Sequence, residues 1–114
     1  MERIYEQSLL FDFYGELLTS HQQQIYEDVV LNDYSFSEIA KDQGISRQGV
    51  HDMIKRCNKL LEGYEQKLHL VEKFLKAKEL ADAIHQHATQ FAKDKDGIHV
   101  QEIEQLSKQM IDKF

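Results

Sequence analysis

The residues best equipped for chemistry lie in one short stretch, SRQGVHDMIKRCNKL, residues 46–60. Arg47 carries a planar guanidinium that can pair with the O6 and N7 of guanine, and Gln48 carries an amide that can pair with the N6 and N7 of adenine. Lys55, Arg56 and Lys59 supply cations suited to phosphate oxygens. His51 completes the outward set. These six are the candidate nucleic-acid-binding residues. Asp52 sits among them, where it would face phosphates. Gly49 costs about 1 kcal/mol against alanine inside a helix, and either permits a close approach or has no such role. The competing reading is a solvated face on an amphipathic helix with no ligand at all.

Charge sharpens the contrast. The chain has 114 residues, with 14 bases and 20 acids, a net of −6. Residues 1–45 hold nine acids and two bases (2 − 9 = −7), and residues 61–114 hold ten acids and eight bases (8 − 10 = −2). Residues 46–60 hold four bases against Asp52 (4 − 1 = +3). One segment is basic inside an acidic protein. The acidic surroundings oppose promiscuous binding to nucleic acid.

Other chemistries find little support. Of the six histidines, His85 and His87 are two apart, which places them on different faces of a helix. With no cysteine or histidine at helical spacing from them, no metal is expected. The single Cys57 excludes a disulfide framework and falls at a core position. There is no glycine-rich phosphate loop, and pairs such as Glu27 and Asp28 are neighbours on a wet face. The expectation is a non-enzymatic protein without cofactor. One thiol and no secretory pattern point to the cytoplasm, and no apolar run approaches the length of a membrane span.

The elements that must carry these residues are helical. There is no proline, and 41% of the residues are apolar. A chain of this size buries roughly two-thirds of its unfolded surface, enough for one core. Residues 3–18 read as a first helix with a stripe of Leu10, Phe13, Tyr14 and Leu17. Leu9, Phe11 and Leu18 add apolar surface outside it, so that helix is either buried on two sides or meets a partner. Thr19 or Ser20 caps a second helix running to about Leu31, with Ile25, Tyr26, Val29 and Val30 as its apolar set. Asn32 and Asp33 read as a turn.

Ser35 with Glu38 forms a capping box for a third helix, with Tyr34 and Ile39 at the staple positions. Gly44 ends that helix in the left-handed conformation, and Ser46 caps the fourth. From Val50 the apolar residues step by four and three through Ile54, Cys57, Leu61, Tyr64, Leu68 and Val71, a heptad seam. A second seam runs Phe74, Ala77, Ala81, Ile84, Ala88 and Phe91. Joining the two takes consecutive steps of three, so a break or bend is expected near 72–78. A last helix covers about 98–113, with Ile103, Leu106, Met110 and Ile111.

Residues 36–55 have the spacing of a helix-turn-helix, two helices crossing through a short glycine turn. Ala40 is small where the helices approach, Gly44 supplies the turn, Val50 and Met53 bury the second helix, and Ile39 and Ile45 fill the space between. In such a unit the second helix enters the major groove with its early residues on base edges.

The stretch LLTSHQQQIYEDVVLNDYSFSEIAKDQGISRQGVHDMIKRCNKLL resembles region 4 of sigma factors. With LFDFYGELLT before it and LEGYEQKLHLVEKF after it, residues 9–74 resemble the YlxM family more closely. SFSEIA, ISRQGVHDMIKR and LEGYEQKL carry the likeness together. At His51 the sequence departs from the aromatic residue usual in that family. The resemblance implies a sigma-region-4-like unit with a long helical extension that dimerises. It also implies a part in the signal recognition particle pathway, since the family's genes lie beside that of the particle's GTPase.

The expectation is therefore an all-α protein: a helix-turn-helix bundle over residues 1–71 with a long fourth helix, then a C-terminal helical arm over 72–114. The arm either dimerises or folds back. Three functions stay open. The first, resting on the resemblance, is an accessory of the signal recognition particle that binds its protein or RNA. The second is a sequence-specific regulator binding duplex DNA, and the third an adaptor that uses the motif as scaffold. A homodimer is expected, because seam residues need a facing helix. Two second helices about 34 Å apart would read successive major grooves.

Overall fold

The computed structural model describes the backbone from residue 3 to residue 114 and the side chains from Ile4 onward. Among the described residues there is no strand. The order is α1 (Arg3–Tyr14), a 3-10 turn (Gly15–Leu17), α2 (Ser20–Val30), α3 (Phe36–Gln43), α4 (Arg47–Leu68), α5 (Leu70–Asp94) and α6 (Ile98–Lys113). The expected all-α architecture is what the chain adopts. It divides into two compact units, Met1–Val71 and Glu72–Phe114.

Local chemistry sets the helix ends of the first unit. Thr19, rather than Ser20, caps α2: its hydroxyl accepts the Gln22 amide while the Gln22 side chain accepts the Thr19 amide, a complete capping box. Ser35 and Glu38 do the same for α3. Gly44 closes α3 at φ 67°, where a β-carbon would be strained. The Gly44 and Ile45 amides both return to the Ala40 carbonyl. Ser46 then caps α4 through the Gly49 amide at 2.9 Å. A β-carbon on Gly49 would crowd that same hydroxyl at 3.2 Å, so the glycine makes room for the cap.

The long α4 packs on α1, α2 and α3. Its buried stripe is Val50, Ile54, Cys57 and Leu61, meeting Leu9, Leu10, Tyr14 and Leu18 from the first segment together with Ile25, Tyr26 and Ile39. Periodicity alone puts the stripe of α1 one step away. Phe13 and Leu17 remain 38% and 57% exposed, while Leu9 and Leu18 are buried in their stead. The tighter 3-10 turn after Tyr14 rotates the following residues away from the α-helical phase. Ile45 does not fill the space between α3 and α4, being 36% exposed, and Tyr34 stays outside at 46%.

A polar cluster threads this core. The Tyr26 hydroxyl donates to Asn58 Oδ1 at 2.6 Å and Gln7 Nε2 donates to the same oxygen at 3.1 Å, tying α1 and α2 to the middle of α4. No buried side-chain nitrogen or oxygen among the described residues lacks a partner.

The fourth helix ends sooner than its heptad spacing suggests. His69 takes a left-handed conformation at φ 57°, so the break falls there and not at 72–78. Leu68 is consequently exposed and does not continue the seam. Since α1–α3 of the same chain cover Val50 to Leu61, that seam needs no second copy to bury it.

In the second unit the covered line of α5 is also shifted. Phe74, Ala81 and Ala88 are exposed, whereas Leu80 is buried and Ile84, His87 and Phe91 are half-buried. Lys95, at φ 57°, turns the chain, and Asp94 and Asp96 accept the Asp96 and Ile98 amides to open α6. His87 and His99 meet through their Nδ1 atoms at 3.0 Å across this turn. Ile103, Leu106 and Met110 are half-buried as expected of the covered face of α6, but Ile111 is 79% exposed.

Candidate nucleic-acid interface

All six candidate contacts lie on α4, and all six are exposed. At about 100° per residue, Arg47, His51, Lys55, Gln48 and Lys59 fan across about 120° of the helix surface. Asp52 borders this fan, and Arg56 lies about 60° beyond Lys59, toward a flank. The buried stripe of Val50, Ile54, Cys57 and Leu61 lies beside it, its Ile54 edge about 20° from Arg47 and its centre about 110° from the middle of the fan. The structure therefore gathers five of the six on one face and sets Arg56 apart.

The supporting geometry comes from α3 and from the cap. α3 packs on α4, with Ile39 and Val50 both buried, and the αL turn at Gly44 joins the two. Ser46 and Gly49 fix the first turn of α4, so the Arg47 and Gln48 amides lie at its open end, the positive pole of the helix dipole. Phe36, at the start of α3, meets the His51 ring edge-on at a centroid distance of 5.7 Å. Among the described residues Arg47, Lys55, Arg56 and Lys59 form no ion pair, which leaves their charge available to a ligand. Gln48 is engaged: its Nε2 donates to Asp52 Oδ1 at 2.9 Å. His51 Nδ1 lies 4.0 Å from the same oxygen.

Beside this face a groove of about 480 Å³ opens between α1, α2 and α4, with Gln7, Val30, Phe36, His51, Lys55 and Asn58 among its walls. Sequence reasoning misses Asn58. Its only signal is a lone amide next to Cys57 at the edge of the apolar stripe, and its partners Tyr26 and Gln7 are 32 and 51 residues away in the chain. It fixes the rotation of α4 and hence the direction in which the basic face looks.

Cys57 is fully buried, and burial pushes its thiol above the ordinary range. That places it with the core and not with any nucleophilic chemistry. No helix of the described residues is long and apolar enough to cross a membrane.

Comparison with known sequences bears on the same region. Residues 1–110 match the model of the UPF0122 family, helix-turn-helix proteins described as YlxM / p13 like. A UPF0122 protein of Acetivibrio thermocellus is 52% identical over 81 residues, covering 71% of this chain and 69% of that one. One from Caldanaerobacter subterraneus subsp. tengcongensis is 56% identical over 66 residues, covering 58% of this chain and 56% of the relative. A third, from Lactiplantibacillus plantarum, is 43% identical over 90 residues, 79% of this chain and 78% of its own. With a capped, glycine-turned helix pair in place and the family pattern running through it, the chain belongs to the UPF0122 family of YlxM / p13-like helix-turn-helix proteins.

Proposed function

We propose that this protein is a regulatory helix-turn-helix protein that binds duplex DNA by laying α4 in the major groove. One observation carries the reading. α4 turns Arg47, Gln48, His51, Lys55 and Lys59 outward on a single face, its cations in no ion pair among the described residues, while α3 braces it from behind. A B-form major groove admits such a helix. An A-form RNA helix has a major groove too deep and narrow for it, so paired RNA would meet this face through phosphates and 2′-hydroxyls rather than through base edges of the major groove. In a pair of copies related by two-fold symmetry, two α4 helices about one helical turn of DNA apart would read a palindromic site.

The resemblance to YlxM carries a finer reading, a part in the signal recognition particle pathway through the particle's RNA or protein. The two are separated by salt-titrated binding of the purified chain to random duplex DNA, particle RNA and the particle's GTPase. DNA binding that weakens steeply with salt, and that Arg47→Glu with Lys55→Glu abolishes, supports the major-groove reading. Removing one cation that neutralises a phosphate should make the slope of log K against log salt shallower by about 0.9. Salt-tolerant binding to the GTPase alone, unchanged by the charge reversals, would make the motif a scaffold for a protein partner.

A further inference from the structure

Asp52 is the one acidic residue within the basic segment 46–60, and by charge alone it weakens any contact with phosphate. Its geometry supplies another role. Asp52 Oδ1 lies 2.9 Å from Gln48 Nε2, one helical turn earlier on the same face. A carboxylate only accepts hydrogen bonds, so the atom of the Gln48 amide that faces it must be the nitrogen. That choice fixes the other end of the amide. Gln48 Oε1 and the second N–H of Nε2 are then left pointing along the exposed face. An acceptor and a donor side by side are what the N6–H and N7 of adenine require of a bidentate partner.

We propose that Asp52 is a positioning residue for Gln48, holding its amide in the orientation that reads adenine in the major groove and giving up phosphate affinity to do so. The inference rests on the DNA-binding reading above and assigns a direction to its specificity. Gln48 has three rotatable bonds before its amide, and a long side chain immobilised in advance loses less freedom on binding. Asp52 also keeps company with His51, whose Nδ1 is 4.0 Å from the same oxygen, and both side chains are more than half exposed. Nothing in the core depends on the pair, so the acid can be changed without disturbing the fold.

Two substitutions separate orientation from charge. Asp52→Asn keeps a carbonyl that accepts from Gln48 Nε2 and removes the charge. Asp52→Ala removes both. Wild type and each variant, all checked for equal helix content, would be selected against a randomised duplex library and then measured on duplexes carrying single base changes or 7-deazaadenine. The wild type should enrich an adenine whose replacement by 7-deazaadenine weakens binding. Asp52→Asn, whose amide can accept from Gln48 Nε2 or donate to Gln48 Oε1, should bind all duplexes more tightly and keep more of the adenine preference than Asp52→Ala. Asp52→Ala should also bind more tightly, but lose roughly two- to twelvefold of that preference, the freedom of one long side chain.

An adenine preference equal in wild type and Asp52→Ala overturns the positioning role and leaves DNA binding standing. A cytosine preference lost in both variants overturns it too, because Asp52 would then accept directly from cytosine N4. No duplex binding by the wild type removes the DNA reading itself, and this inference with it.

Discussion

The Tyr14 hydroxyl donates to Glu65 Oε1 at 2.6 Å and accepts the Leu70 amide at 3.0 Å, so a residue at the end of α1 supplies the cap that α5 lacks in its own sequence. Glu65 Oε1 in turn accepts the Val71 amide at 2.9 Å. Two of the amides left open by the break at His69 are satisfied by this pair. Burial, followed by the bond to Glu65, pushes the Tyr14 hydroxyl above the usual tyrosine range.

Removing that hydroxyl should cost stability without touching the shape of the core. Tyr14→Phe is expected to lose about 1–3 kcal/mol, the penalty for stranding a buried polar partner. Glu65→Gln should lose less, since its amide oxygen still accepts. Urea unfolding followed by circular dichroism measures both. An unchanged midpoint for Tyr14→Phe would show that the start of α5 is held by something else.

The same pair sets an alkaline limit. A group whose folded pKa is raised above its unfolded value, about 10 for tyrosine, stabilises the fold fully below that value. It loses the contribution as pH rises through the folded pKa. The stability gap between wild type and Tyr14→Phe should therefore be constant at neutral pH and narrow above about pH 10. Ultraviolet titration of tyrosinate should find Tyr14 ionising late in the wild type.

Cys57 offers a probe of opening. It is buried with a raised pKa, so a disulfide reagent should react slowly with the native chain and at the rate of unfolding in urea. Cys57→Ser should destabilise by about 1–3 kcal/mol, because the hydroxyl would be buried among apolar neighbours. Fast labelling of the native protein would place the thiol outside the core.

Gly44 is held at φ 67° with nothing within 4 Å of where a β-carbon would stand. Its constraint is therefore conformational and not one of space. Gly44→Ala should cost about 1–2 kcal/mol, and Gly44→Asn less, since asparagine tolerates the left-handed region better. Thermal melting of the three proteins would rank them. Equal melting temperatures would mean that the turn can relax to another conformation.

Legibility followed the range of the interactions involved. Ser35 with Glu38, Gly44 and Ser46 were readable because each acts on backbone groups within four residues of itself. The buried stripe from Val50 to Leu61 was readable because a helix repeats its face. The end of α4 was not. His69 is no helix breaker by type, and the Leu70 amide after it is capped by Tyr14, 56 residues away. Leu17 was misplaced because a single 3-10 turn after Tyr14 shifted the phase of the chain, and Phe13 because α1 turns Leu9 rather than Phe13 into the core. The six candidate residues could be named from the sequence, yet the separation of Arg56 from the other five, the engagement of Gln48 with Asp52 and the lock of Asn58 on Tyr26 appear only in three dimensions.

A chain without proline stops its helices by other means. Asp33, His69 and Lys95 each hold a left-handed backbone at φ near 58° with a β-carbon in place. Each forgoes roughly 1 kcal/mol that glycine would not. The joints between helices are thus softer than the helices themselves, and they are where amide protons should exchange with solvent first. Glycine at each of the three positions would relieve that strain, but against it stand the greater freedom of the unfolded chain and, at Lys95, loss of the ammonium's contact with the Phe91 ring at 5.8 Å, with the reading face of α4 left as it is.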